Sequence, residues 1–381
     1  MRVYADLHVH IGFSNGKYIK VPSSKTLTLE NIIKTAKDEK GLDVIGIVDF
    51  LCEDVIKETE ELLDKGKFVL KDGSLYSEGL LIIPAAEIEL RFCSNDFHCL
   101  VFFEDYEKLK DFRKIIKTYF NQVDFSCPVF RGGICDFEKI VSSFRLLAVP
   151  AHAFTPYKGF YSAAQRIGEV FKNTEVFAIE LGLSTDSYMV NALCDVQKRS
   201  LLSNSDAHSL KNIAREFNEI EVENLSAKDI IKSIKENKVV ANYGINPRLG
   251  KYHKSYCNKC NSSFNLKSQD SILCPFCKSN DIVIGVEDRI SWLCKIENPV
   301  EKPPYFYTFP FELVQGFGQK TIKKIIEIFK NEINFIKSIN DGTFRNYCID
   351  KSIVQKLTKF ANQEYTIKFG AGGHFGRVIF E

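Results

Sequence analysis

The chain has 381 residues, 45% hydrophobic and 26% charged, with a formal net charge of +2. That is globular composition, long enough for two or three domains, and it excludes an overall polyanion-binding excess of positive charge. No apolar run reaches the length of a membrane span, and the first ten residues read as a strand rather than a leader, so a soluble cytoplasmic protein with no membrane partner is expected. Of twelve cysteines, four fall in a metal-type pattern described below. The other eight (Cys52, Cys93, Cys99, Cys127, Cys135, Cys194, Cys294, Cys348) show no disulfide-like spacing, which fits a reducing compartment.

The first strand, Val3 to Val9, runs into His8 and His10. A period of two puts both imidazoles on one face, and two neutral imidazoles converging at a strand end suit a divalent metal such as zinc. Strands follow near 43–49, 80–89, 97–103, 145–151, 176–182, 200–204 and 238–243. Helical patterns lie near 28–39, 53–64, 105–120, 136–143, 163–171, 188–198 and 226–236. Thr28 caps the first of these, with Glu30 in its first turn. Apolar strands alternating with helices predict an α/β fold with a mostly parallel sheet covered on its outside, of the kind that closes a barrel.

The polar exceptions gather at strand ends, where catalytic residues of such folds cluster. Asp49 closes Val-Ile-Gly-Ile-Val-Asp, Glu87 follows an apolar run from Leu80, His152 closes Leu-Leu-Ala-Val-Pro-Ala-His, and Asp206 and His208 follow Leu-Leu-Ser-Asn-Ser. His98 opens its strand instead. Any single histidine here reads equally as a satisfied core or loop residue. Repeated His, Asp and Glu beside apolar strands do not, because an unpartnered buried charge is costly and a bound metal removes the cost. The loop from Ala153 to Tyr161 is aromatic and would sit at the mouth of the site, as a stacking surface for a base or as a packed lid.

Asp6-Leu7-His8-Val9-His10, Ala86-Glu87, His98, Pro150-Ala151-His152 and Ser205-Asp206-Ala207-His208 resemble the successive motifs of the PHP superfamily of metal-dependent phosphoesterases. The resemblance implies a distorted (β/α)7 barrel with two to three divalent metals (Zn, Mn or Mg). By it, His8, His10, Glu87 and Asp206 hold one metal, Glu87 bridges to a second held also by His98 and His152, and His208 belongs to a third. The usual Asp-His after the second strand is here Asp49-Phe50-Leu51-Cys52. Asp49 stays a candidate ligand, Cys52 reads as a small buried thiol, and the third metal is the one this departure touches.

From 246 to 302, Cys257-x-x-Cys260 and Cys274-x-x-Cys277 have the spacing of a four-cysteine zinc ribbon, a module without a core of its own that needs one structural zinc to fold. It reads as a clamp on nucleic acid or as a spacer. From 303 to 381 comes an aromatic run between prolines, Pro303 to Phe311, too proline-rich for a central strand and read as interdomain packing. Next, Gly316-Phe-Gly318 precedes an amphipathic helix carrying Lys320, Lys323 and Lys324. A glycine turn before a bare helix start offers amides to a DNA phosphate, and lysines add sequence-independent attraction. A solvated lysine face on an ordinary helix is the plainer alternative. Charge is unevenly spread: 11 Lys/Arg against 7 Asp/Glu in 303–381 and 9 against 6 in 246–302 leave the first 245 residues at −5.

The whole order of barrel (1–245), four-cysteine zinc domain (246–302) and small helical end (303–381) resembles the endonuclease Q family. Thr155-Pro156, Glu180-Leu-Gly-Leu-Ser184, Asn204 to Ser209 with Ala214-Arg-Glu216, the Pro-Pro-Tyr at 303–305 and the glycine-rich tail extend the likeness. The family implies a DNA repair endonuclease acting on double-stranded DNA that carries a deaminated base (uracil, hypoxanthine, xanthine) or an abasic site. It nicks 5′ of the lesion with metal-activated water and leaves a 3′-hydroxyl, with His8, His10, Glu87, Asp206 and His208 as the catalytic set. Two rivals remain: a phosphatase acting on a small phosphomonoester, which needs neither ribbon nor basic tail, and a DNA-binding module whose barrel is inactive, which the ligand set opposes.

Overall fold

In the computed structural model, residues 1–20, 23–269, 271–314 and 316–380 are described; Gln315, just before the Gly316-Phe-Gly318 turn, lies outside them. The frame is built from β1 (Arg2–Val9), β2 (Val44–Ile47), β3 (Leu80–Phe92), β4 (Asn95–Phe102), β5 (Leu147–Pro150), β6 (Ala178–Glu180), β7 (Ser200–Leu202), β8 (Phe217–Glu221) and β9 (Val239–Gly244). β1 pairs parallel with β2, and β2 with β3. β3 then turns back on β4 through Cys93 and Ser94, and a two-residue connection can join only antiparallel strands. β4 to β5, β1 to β8 and β8 to β9 are also antiparallel. The sheet is therefore mixed rather than mostly parallel. The parallel pair β6–β7 touches β5 on one side and β9 on the other, so the strands close into a distorted barrel.

β8 is absent from the sequence reading, and its residues explain why. Asn218, fully buried, breaks the apolar alternation of Phe-Asn-Glu-Ile-Glu. Its amide bonds the backbone of Ala5 and Ser203 and the side chains of Asn204 and Asn242, stitching β1 to β9. The helical patterns at 163–171 and 188–198 shrink to short turns, Phe160–Ala163, Ile167–Val170 and Ser187–Val190. The backbone beyond is committed elsewhere: Leu193 bridges to Lys295, and Cys194 N–H bonds the Cys294 carbonyl. Cys194 and Cys294 are joined as a disulfide, which the cysteine spacing did not suggest. Cys52 is the buried thiol expected, its Sγ facing the Val123 carbonyl at 3.9 Å.

The barrel interior is filled from alternate positions of successive strands, including Ala5, Leu7, Leu81, Ile83, Leu100, Phe102, Leu147 and Val149. The helix Ala227–Lys235 plugs one end with Ile230, Ile231 and Ile234. Its Ser226 cap accepts from Asp229 N–H. At the other end β1 departs from regular register between Asp6 and Val9. A bulge re-aims side chains, and this one turns His8 and His10 toward the carboxyl ends of the strands.

Residues 255–257, 262–264 and 282–283 form a small antiparallel sheet beneath the four cysteines. The proline-flanked run supplies Tyr305–Tyr307, an edge strand parallel to β9, so it packs on the barrel as expected. Helices Gln319–Phe329, Glu332–Asp341 and Lys351–Ala361 follow, and the Lys40–Glu332 ion pair ties them to the barrel. Among the described residues no helix is long and apolar enough to cross a membrane.

Glu216 is buried between β9 and Tyr305, accepting from Ser203 Oγ at 2.7 Å while its second oxygen has no partner. Burial pushes its carboxyl up to about 8. The folded state thus keeps a proton that the unfolded chain releases near pH 4.5, so stability falls as pH rises from about 4.5 to 8, by at most about 1.4 kcal/mol per pH unit. Glu216→Gln should flatten that slope in urea melts taken across this range; an unchanged slope would assign it to other groups.

Candidate metal centre and nucleic-acid interface

His8 and His10 come from the re-aimed end of β1, Glu87 from the middle of β3, His98 from β4, and His152 and Asp206 from the loops after β5 and β7. His8 Nε2 lies 3.3 Å from His10 Nε2, 3.6 Å from Glu87 Oε1 and 3.5 Å from Asp206 Oδ1. His10 Nε2 lies 3.4 Å from Glu87 Oε2 and 3.3 Å from Asp206 Oδ1. Ligands about 2.1 Å from a tetrahedral dication stand about 3.4 Å apart, so these four side chains already have the edges of a metal site. A second triangle shares Glu87: Oε1 is 2.8 Å from His98 Nδ1 and 3.3 Å from His152 Nε2, and those two nitrogens are 3.3 Å apart. Glu87 Oε2 is buried and accepts no hydrogen bond, the state of an oxygen whose partner is a cation. The residues present fit a pair of divalent metals bridged by Glu87.

The remaining expected ligands sit differently. His208 is near His10 and Asp206, with ring centroids of the two histidines 4.7 Å apart, and these three residues could hold an ion. Asp49 is not among the converging ligand atoms. It lies behind His10, 3.2 Å from Nδ1, and accepts the Ile11 N–H at 2.6 Å. There it fixes the ring so that Nε2 points inward.

Several residues of the site carried no role in the sequence reading. Glu180, at the end of β6, bonds His8 Nδ1 at 3.0 Å, the His152 N–H at 2.7 Å and the Asn204 amide at 2.7 Å. Glu89 stands 3.4 Å from His98 Nε2. Glu180 obeyed the strand-end rule and was legible; Glu89 points to the site only because the β3–β4 hairpin sets it opposite His98. Asp6 accepts the Ser205 and Ala214 N–H groups and so holds the loop that carries Asp206. His152 and Asp206 both adopt positive φ, +29° and +46°, strain of about 1–3 kcal/mol each that these bonds hold in place. Lys20 enters from the loop after β1, its Nζ 2.9 Å from His10 Nε2.

Charge follows the geometry. Burial alone would raise Glu87 and Asp206, but the imidazoles against them hold both well below the usual carboxylate range. Burial would lower His98, yet the Glu87 carboxylate outweighs it and pushes the ring to about 12. Burial and Lys20 press His10 down while Asp49 and Asp206 lift it to about 10. His208 is taken down to about 4, chiefly by burial. Anionic carboxylates and protonated imidazoles neutralise one another here, and a dication takes over that role by displacing the protons.

Over these groups lies a cavity of about 290 Å³ whose rim includes Tyr157, Lys158, Lys251 and Tyr252. Of the aromatic loop after His152, Phe154, Phe160 and Tyr161 are buried packing, while Tyr157 is 56% exposed and meets Tyr252 edge-on. A larger cleft of about 840 Å³ runs between the barrel and the helix Gln319–Phe329, lined by Lys40, Lys211, Arg215, Lys251, Lys320 and Lys323 among others. Gly318 starts that helix without a side-chain cap, and Gly316 takes φ +96° in the turn before it. Lys324 is exposed but does not line the cleft. In the cysteine module, Cys257 and Cys277 sulfurs are 3.6 Å apart and Cys260 and Cys274 sulfurs 3.5 Å apart. All four thiols converge as a single ligand group.

The chain is 31% identical over 388 residues to the uncharacterized protein YqxK of Bacillus subtilis (strain 168), covering 99% of both. It is 33% identical over 251 residues to the uncharacterized protein MJ0043 of Methanocaldococcus jannaschii, covering 60% of this chain and 32% of that one. No protein-family model matches. Among solved structures, the lesion-specific endonuclease PfuEndoQ from Pyrococcus furiosus overlays all of this chain and 96% of its own, with a TM-score of 0.85 and 28% identity. The chain belongs to the endonuclease Q family. An endonuclease Q bound to a 27-mer duplex with an abasic lesion at the active site overlays it equally, with a TM-score of 0.86, 29% identity, and 100% and 97% coverage. As an endonuclease Q, the chain is a metal-dependent nuclease.

Glu180 gives the site a graded test. Glu180→Gln keeps one acceptor oxygen for a group that now has to orient two histidines, so metal affinity and nicking should each fall about 10–100-fold. Titration of the chelated protein with manganese, beside nicking rates, checks this; wild-type values in both would remove Glu180 from the site's support.

Proposed function

We propose that this endonuclease Q nicks double-stranded DNA 5′ of a deaminated base or an abasic site, leaving a 3′-hydroxyl. The observation that carries the reading is the pair of His/carboxylate ligand sets bridged by Glu87, lying under a cavity rimmed by lysines and tyrosines. His8, His10, Glu87 and Asp206 hold one divalent ion, and Glu87, His98 and His152 hold a second. The ions, zinc, manganese or magnesium, would activate water and neutralise charge developing on the scissile phosphate. Asp49, Glu89 and Glu180 keep the histidine rings turned inward. His208, neutral and partly exposed beside Asp206, is placed to pass a proton to the leaving oxygen. Four cysteine thiolates hold one structural zinc.

A damaged nucleotide has to leave the stack to be inspected, which costs least where pairing is already weakened. Tyr157 and Tyr252 offer ring faces and edges at the mouth of the cavity, and Lys158 and Lys251 offer charge to the flanking phosphates. Lys320 and Lys323, with the bare amides at the start of their helix, serve the duplex further along.

An end-labelled duplex carrying one deoxyuridine, deoxyinosine or abasic site, incubated with manganese, magnesium or zinc, tests the whole scheme. A single nick 5′ of the lesion is expected, absent from undamaged duplex and from Asp206→Asn. No nick under any metal, with phosphate released from a small phosphomonoester, would transfer the barrel to phosphatase chemistry.

A further inference from the structure

We propose that the ammonium of Lys20 takes the place of a third dication in the barrel, so that the site holds two metal ions and one fixed monovalent charge facing the substrate phosphate. The proposal rests on the metal-dependent reading above and sets its stoichiometry.

The third ligand group, His10, Asp206 and His208, borrows two of its three members from the first site and adds only His208. Among the described residues of the surrounding segments none completes it. Asp49 is turned onto His10 Nδ1 and the Ile11 N–H. Phe50 is fully buried in the core, and Cys52 faces the Val123 carbonyl. A cation is present instead. Lys20 Nζ stands 2.9 Å from His10 Nε2 and 3.6 Å from Glu87 Oε2, its side chain 18% exposed, on the same cavity wall as His208. The loop that delivers it is pinned on both sides: Ile19 N–H bonds Gly12 O beside the end of β1, and Ser126 N–H bonds Ile19 O.

Like charges repel strongly at separations of a few ångströms in a site with little water. A lysine held among these ligands therefore opposes a further dication and weakens the hold on the two that bind. In exchange it leaves an N–H donor of fixed position at the cavity wall, where charge develops on the phosphate during cleavage. A residue that merely supported the fold would weaken metal binding and catalysis together when removed. Lys20 has to separate them.

The test compares wild-type full chain with Lys20→Met and Lys20→Arg, using manganese titration, total metal content and single-turnover nicking of the abasic duplex. Wild type should take two metals per chain beyond the one in the cysteine site. Lys20→Met should bind manganese at least about tenfold more tightly yet nick about a hundredfold more slowly. Lys20→Arg, which keeps the charge, should match the wild-type metal affinity and isolates the charge effect if the methionine variant melts early. Three barrel metals in wild type, or a Lys20→Met affinity equal to or weaker than wild type, would overturn the proposal. Failure of every variant and of wild type to bind any barrel metal would instead sink the metal-dependent reading beneath it.

Discussion

Glu87→Gln should abolish nicking, with a fall of at least about three orders of magnitude, beyond what losing one charge-stabilising donor costs other enzymes. The size follows from where the carboxylate stands. Oε1 meets His98 and His152 at 2.8 and 3.3 Å, Oε2 meets His10 at 3.4 Å, and among the described residues no other side chain belongs to both ligand triangles. An amide in its place is neutral and turns an N–H₂ toward one of the two ion positions, so both sites lose affinity at once. Metal analysis should then find the cysteine-bound ion alone. The substitution is nearly isosteric in a fully packed position, so the fold itself should persist, and circular dichroism separates loss of metal from loss of structure. Wild-type metal content with nicking within tenfold would show that the two triangles do not act as one centre.

The contrast between Glu87 and Glu180 also shows how far the sequence could be read. Both are acids at the carboxyl end of a barrel strand, and His8, His10, His98, His152 and Asp206 obeyed the same rule or sat beside it. Those residues were legible because a charge inside an apolar frame demands a partner, and several such residues in order imply a shared one. What the pattern could not supply was direction. Asp49 satisfied every sequence criterion for a ligand, yet it faces the back of His10, since only the bulge in β1 decides which ring nitrogen points inward. Lys20 gave no sign at all: a lysine ten residues past the second histidine looks like surface until the loop is folded. β8 was hidden for a related reason. Its buried Asn218 reads as solvent-facing, because a side-chain hydrogen-bond network leaves no periodicity.

Cys257→Ser should cost the protein one zinc per chain and weaken duplex binding by at least about tenfold, while leaving the barrel's metal content intact. Sulfur separations of 3.5 and 3.6 Å approach the edge of about 3.8 Å that a tetrahedral ion with 2.3 Å bonds to thiolate imposes. The module has little else to hold it. Its strands are three residues or fewer, Phe276 is 67% exposed, and Val283 is one of few apolar side chains it buries. Zinc binding to such modules supplies about 10–16 kcal/mol, so loss of one thiolate removes most of what folds it. The effect reaches the site through the chain: Tyr252 and Lys251 on the cavity rim lead directly into the strand Ser255–Cys257, and Gly372 in the tail packs against Tyr256. Melting the module therefore loosens the rim that receives the nucleotide and leaves the metal ligands on β1, β3 and β4 where they are. The loss should appear in the dissociation constant and KM, with kcat at saturating duplex changed far less, and with new protease cleavage between residues 258 and 281. A variant that resists protease and binds duplex normally would reduce the module to a passive spacer; one that loses the barrel metals as well would show that the two metal sites fold as a unit.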